Sequence, residues 1–61
     1  MLYTIIVFAN EKAIKYHNVK GLPKFVRFLD GKFMHGWVAN CYEKDTKRFR
    51  MQLKKGGYHP E

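Results

Sequence analysis

Cysteine is nearly absent from this chain: Cys41 stands alone. No internal disulfide can form, which excludes the stapled secreted scaffolds that many short chains rely on and makes a reducing cytoplasm the expected setting. Acidic residues are scarce as well, five Asp and Glu against twelve Lys and Arg. Glu11, Asp30, Glu43, Asp45 and Glu61 are scattered, so no carboxylate pair sits where acid–base chemistry would need it, and Glu43 is expected to pair with Arg48 for less than about 1 kcal/mol. The three histidines and the one cysteine have no close spacing, matching no zinc pattern, and no cofactor signature is present. Gly56-Gly57 lacks the strand–loop–helix setting of a phosphate loop. The apolar opening Met1 to Phe8 is too short to span a membrane; without a basic segment before it or a small-residue cleavage site after it, it reads as a strand.

Against these absences stand 46% hydrophobic residues, ten aromatics among them, and a formal net charge of +7 in 61 residues. That composition belongs to one folded domain, expected over residues 1–55, with 56–61 as a flexible C-terminal tail. A chain of this length buries only about 60% of its unfolded surface, so self-association as a homodimer or partner binding is expected to add stability. Charge of this size steers a protein towards polyanions.

Leu2 to Ala9 is β-branched and aromatic and apolar on both faces, as in a central strand covered on both sides. A polar turn at Asn10-Glu11-Lys12 leads to a second strand, Ala13 to Lys20. With three residues in that turn, Phe8 faces Ile14 and Ile6 faces Tyr16; a two-residue turn reverses the faces. Leu22, Phe25, Val26, Phe28 and Leu29 fall within one arc of about 160° on a helical wheel, predicting a short helix near Leu22 to Leu29 with Pro23 in its first turn and Gly31 just past its end. The rival is a strand ending in an Asp30-Gly31 hairpin. Lys32 to Glu43 reads as a strand interrupted by Gly36, and Arg48 to Lys54 as its return. The predicted order is β-β-α-β-β, a small α+β domain with an antiparallel sheet of about four strands; the alternative is an all-β five-stranded barrel.

Half of all Lys and Arg lie between Lys44 and Lys55. From Arg48 the chain alternates, with Arg48, Arg50 and Gln52 on one side and Phe49, Met51 and Leu53 on the other. A turn centred on Asp45-Thr46 sets Glu43 opposite Arg48, Tyr42 opposite Phe49, Val38 opposite Leu53 and Trp37 opposite Lys54. The apolar side then holds Val38, Tyr42, Phe49, Met51 and Leu53. The other holds His35, Trp37, Ala39, Cys41, Arg48, Arg50, Gln52 and Lys54. An exposed indole among cations suits single-stranded nucleic acid, with bases stacking on the ring and cations following the phosphates. The competing placement puts the helix over this face and Trp37 in the core.

His35 and Cys41 share a strand face in this reading, but six strand residues hold them about 20 Å apart, too far to act as a nucleophile pair. The expected function is a non-enzymatic binding module that takes nucleic acid through Lys47, Arg48, Arg50 and Lys54, with Trp37, and through Lys24 and Arg27 on the helix as a second patch. The alternative is a protein-binding module, an inhibitor or assembly subunit acting on an acidic host or viral protein; a metal-independent nuclease is a minor alternative. In size and charge alone the chain resembles short orphan proteins of bacteriophages and mobile elements, a likeness that covers no motif and transfers no residue.

Overall fold

The computed structural model describes residues 2–55, so the expected tail at 56–61 lies outside the described residues. The chain runs β1 (Tyr3–Ala9), β2 (Lys12–Val19), α1 (Leu22–Lys32), β3 (Val38–Glu43) and β4 (Phe49–Lys54). All neighbouring strands are antiparallel, in the order β2-β1-β3-β4. This is the predicted β-β-α-β-β α+β fold, and the sheet is open rather than closed into a barrel. β2 and β3 flank β1 and run parallel to each other, so α1 is a crossover that skips one strand. β1 thus becomes a central strand, but only its face towards α1 is covered among the described residues, not both faces as its apolar run suggested.

One face of the sheet carries the core. Ile5, Val7 and Ala9 of β1, Ala39 and Cys41 of β3 and Leu53 of β4 are buried with Leu22, Val26 and Leu29 of α1. The helical residues recur at intervals of four and three, which places them on one side of α1. Each fully buried large aliphatic contributes about 1.5–3 kcal/mol. Tyr16 packs edge-on to Phe25 with ring centroids 5.2 Å apart, extending the core towards β2.

Several local expectations are corrected. The β1–β2 turn holds two residues, since Ala9 pairs with Lys12 and Phe8 with Ala13. Asn10 and Glu11 both adopt positive φ, 52° and 62°, as a type I′ hairpin turn requires, because its twist matches that of the strands. Ile14 and Tyr16 therefore stand opposite Val7 and Ile5 and turn towards the core. The helix also runs past Leu29 and takes in Gly31. It ends where Phe33 N–H donates to Leu29 C=O at 2.8 Å. Asp30-Gly31 is accordingly helical and not a hairpin.

The third strand begins only at Val38. Phe33 to Trp37 forms a loop with a turn closed by Gly36 N–H donating to Phe33 C=O at 3.1 Å. Gly36 has φ 130°, a backbone region open to glycine. Both ends of this loop are anchored, since Phe33 and Trp37 are buried. That burial stops the strand from continuing back to Lys32.

Candidate functional site

Both edge strands carry a bulge, and the bulges decide which side chains share a surface. In β4, Cys41 pairs with Met51 but Tyr42 pairs with Phe49, leaving Arg50 as an extra residue. Near the loop the expected register holds: Tyr42 faces Phe49, and Glu43 N–H donates to Arg48 C=O at 2.9 Å. Beyond Arg50 the pairing shifts by one, to Asn40 with Gln52, Ala39 with Leu53 and Val38 with Lys54. The pairings of Val38 with Leu53 and Trp37 with Lys54 are therefore overturned. A bulge of this kind re-aims every side chain beyond it.

In β2 the register slips between Tyr3 and Ile5, leaving His17 and Asn18 opposite Thr4. Asn18 adopts φ 58°, a conformation Asn tolerates better than most residues. The slip turns Val19 into the core beside Tyr3.

The sheet face away from α1 is covered by no described element. Across it run two rows of paired residues, Ala13, Phe8, Val38 and Lys54, and Lys15, Ile6, Asn40 and Gln52, and a third of Thr4, Tyr42 and Phe49 with His17 at the slipped position beside Thr4. Phe8, Val38 and Phe49 are 45%, 40% and 58% exposed, unusual for such side chains. Tyr42 and Phe49 meet edge to face with centroids 5.7 Å apart. Gln52 donates to Asn40 Oδ1 at 3.3 Å. None of the paired residues on this face is acidic.

At one end of the face lies an open depression of about 490 Å³ lined by Thr4, Ile6, Lys15, His17, Tyr42, Glu43, Lys44 and Lys47. Its only carboxylate is already engaged: Glu43 accepts from Arg50 at 3.2 Å and from the Thr46 hydroxyl. The expected Glu43–Arg48 ion pair is thus replaced by Glu43–Arg50.

The sequence-derived site residues do not form one surface. Lys47 lines the depression and Lys54 stands at the opposite end of the open face. Arg48 lies opposite Glu43 and next to Phe49, which turns it to the other side of β4 from Phe49, while Arg50, the extra residue of the bulge, bonds to Glu43 at the rim of the depression. Lys24 and Arg27 are exposed on α1. Trp37 is only 4% exposed and donates its indole N–H to Asp30 Oδ1 at 3.0 Å, so it is a core residue and not a stacking surface. His35 sits in the loop before β3, not on that strand.

The aromatics Phe8, Tyr42 and Phe49 were missed as surface residues. The available signal was the two-sided apolar pattern of β1: with a single helix to cover it, one set of its side chains must be left open.

Cys41 is fully buried, and desolvation pushes its thiol up to about 11 despite the nearby Arg50 charge, which acts to lower it. A thiol in that state is a poor nucleophile. Among the described residues no group of three His, Cys, Asp or Glu is placed to hold a metal ion, and no helix is long and apolar enough to cross a membrane. Neither a protein-family model, nor a curated protein, nor a solved structure matches the chain.

Proposed function

We propose that this protein binds single-stranded nucleic acid on the open face of its sheet. The observation that carries the reading is a set of aromatics, the exposed Phe8 and Phe49 with the half-buried Tyr42, on a face whose paired residues include cations and no acid. Unstacked bases present a π face that aromatic side chains cover at about 1–3 kcal/mol per base, largely regardless of sequence. Lys15, Lys54, Lys44 and Lys47 supply charge for the phosphates. A duplex keeps its bases stacked on one another and offers this face only its backbone, so single strands are the favoured ligand.

Anisotropy of labelled random single-stranded DNA and RNA, titrated at several salt concentrations, tests the reading. Binding is expected to weaken with salt, with a log–log slope of roughly 0.7 per phosphate contact, and duplex competitors are expected to displace the label poorly. Absence of binding at low salt, or equal binding of duplex and single strand, overturns it.

A second reading rests on α1. Lys24, Phe28 and Lys32 follow one another at intervals of four, Arg27 adjoins them, and Phe28 is 48% exposed. An apolar side chain ringed by cations suits an acidic protein surface, and binding of one such partner without oligonucleotide binding favours this alternative.

A further inference from the structure

The depression at the end of the open face has a composition that stacking alone does not require. Lys15 comes from β2, Lys44 and Lys47 from the β3–β4 loop, and the hydroxyl-bearing Thr4 and Tyr42 from the two central strands. Three lysines thus line one hollow from opposite sides. The one carboxylate lining it is held by Arg50 and Thr46, and Asp45, in the loop between Lys44 and Lys47, is exposed and does not line the hollow. Lysine acts on phosphate as a mobile point charge, and several of them around a hollow suit a compact dianion better than a single diester charge.

The position relative to the aromatics completes the argument. Tyr42 belongs both to the depression and to the Tyr42–Phe49 pair. A base stacked on that pair therefore has the hollow beside it, with the loop from Lys44 to Lys47 standing at the end of the sheet. A strand laid along the face from Phe8 towards Tyr42 reaches this loop last.

We infer that the depression seats the terminal phosphate monoester of a nucleic-acid strand. The inference rests on the nucleic-acid reading for the strand, while the seat itself can be probed without one. Lys15, Lys44 and Lys47 hold the phosphate oxygens, Thr4 and Tyr42 offer hydroxyl hydrogen bonds, and Tyr42 and Phe49 stack on the terminal base.

The test uses the full chain and one oligonucleotide in three forms, carrying a 5′-phosphate, a 3′-phosphate or neither. One phosphorylated form is expected to bind about tenfold more tightly than the unphosphorylated one at low salt, as one added charge-assisted contact gives; which end gains identifies the strand's direction. The Lys44→Gln/Lys47→Gln double variant should abolish that preference, whereas Lys54→Gln, at the other end of the face, should weaken all three forms alike. Equal affinities for the three forms in the unsubstituted protein overturn the seat but leave the sheet-face reading standing. Titration with inorganic phosphate, followed through the amide signals of Thr4, Lys15, Tyr42 and Lys47, separates the remaining cases. Saturable shifts there without oligonucleotide binding support the seat and remove the strand. Shifts scattered over every exposed lysine, as non-specific ion pairing would give, overturn the seat.

Discussion

The indole N–H of Trp37 donates to Asp30 Oδ1 at 3.0 Å, tying the loop that enters β3 to the last turn of α1. Trp37 also fills the core at 4% exposure. This contact joins helix and sheet across a loop with little regular structure, so it fixes the spacing between the two layers.

Shortening that side chain should be severe. Trp37→Ala removes an aromatic payload whose loss typically costs about 3–5 kcal/mol, comparable to the whole stability available to so short a chain. Trp37→Phe keeps most of the packing and loses the donor, at about 1–2 kcal/mol. Urea denaturation followed by circular dichroism should find the first variant unfolded and the second folded with a lower midpoint. A folded, undiminished Trp37→Ala variant would show that the indole is not part of the core.

Two backbone positions should tolerate improvement. Gly31 lies inside α1, and a Cβ built there meets nothing within 4 Å. Gly31→Ala is expected to stabilise by about 0.5–1 kcal/mol by restricting the unfolded chain. Glu11 adopts φ 62° at the second position of the β1–β2 turn, where glycine is preferred. Glu11→Gly should relieve about 1 kcal/mol of left-handed strain. Thermal melts check both, and a lower midpoint for either variant would contradict the local geometry.

The buried thiol makes alkaline pH destabilising. Cys41 ionises near its ordinary value of 9.0 in the unfolded chain but only at about 11 when folded. Between these values the unfolded state has lost a proton that the folded state still holds, so stability falls as pH rises through that window. The contribution, about 2–3 kcal/mol, is fully present below pH 9 and lost above the folded value. The measurement is the slope of stability against pH compared with that of Cys41→Ala, a difference in which every group common to both proteins cancels. Equal slopes would show that the thiol is hydrated in the folded protein. Thiol reagents should likewise modify Cys41 only as fast as the chain opens.

Much of the fold was legible in the sequence because its signals are local. The apolar arc from Leu22 to Leu29 gave the helix, and the apolar run of β1 gave a central strand. The register was less accessible. Arg48-Phe49-Arg50-Met51 alternates well enough to suggest an uninterrupted strand, and nothing in it announces that Arg50 stands outside the ladder. That one extra residue puts Phe49 on the same face as Gln52 and Lys54 and separates it from Met51 and Leu53. The turn at Asn10-Glu11 was obscured in a similar way, since Glu is an unusual occupant of positive φ. The basic hairpin stands out in the sequence by its charge, but the aromatics that accompany its lysines on the open face depend on long-range pairing with β1 and β3. The sequence alone does not separate core from surface for Trp37, because a register without the bulge sets it opposite Lys54 on the outer side.

The two faces of β4 should separate in binding. Tyr42 and Phe49 lie on the open side, while Arg48 alternates to the other side and Arg50 is engaged by Glu43. Phe49→Ala should cost little stability, since the ring is 58% exposed, beyond the edge-to-face contact with Tyr42 worth about 0.5–1.5 kcal/mol. Its affinity for single strands should nonetheless drop by about 1–3 kcal/mol with little change in salt slope, because stacking carries no counterions. Lys15→Gln with Lys54→Gln should do the reverse, lowering the slope by roughly 0.7 for each phosphate contact removed. Arg48→Ala removes a charge from the other side and should leave the slope almost unchanged, apart from weaker long-range attraction, whereas Arg50 is kept because its loss would release the Glu43 carboxylate into the depression. Salt titrations of the three variants, with circular dichroism to confirm folding, decide between the faces. A large loss of slope in the arginine variant and none in the lysine variant would move the nucleic-acid surface to the helix side of β4.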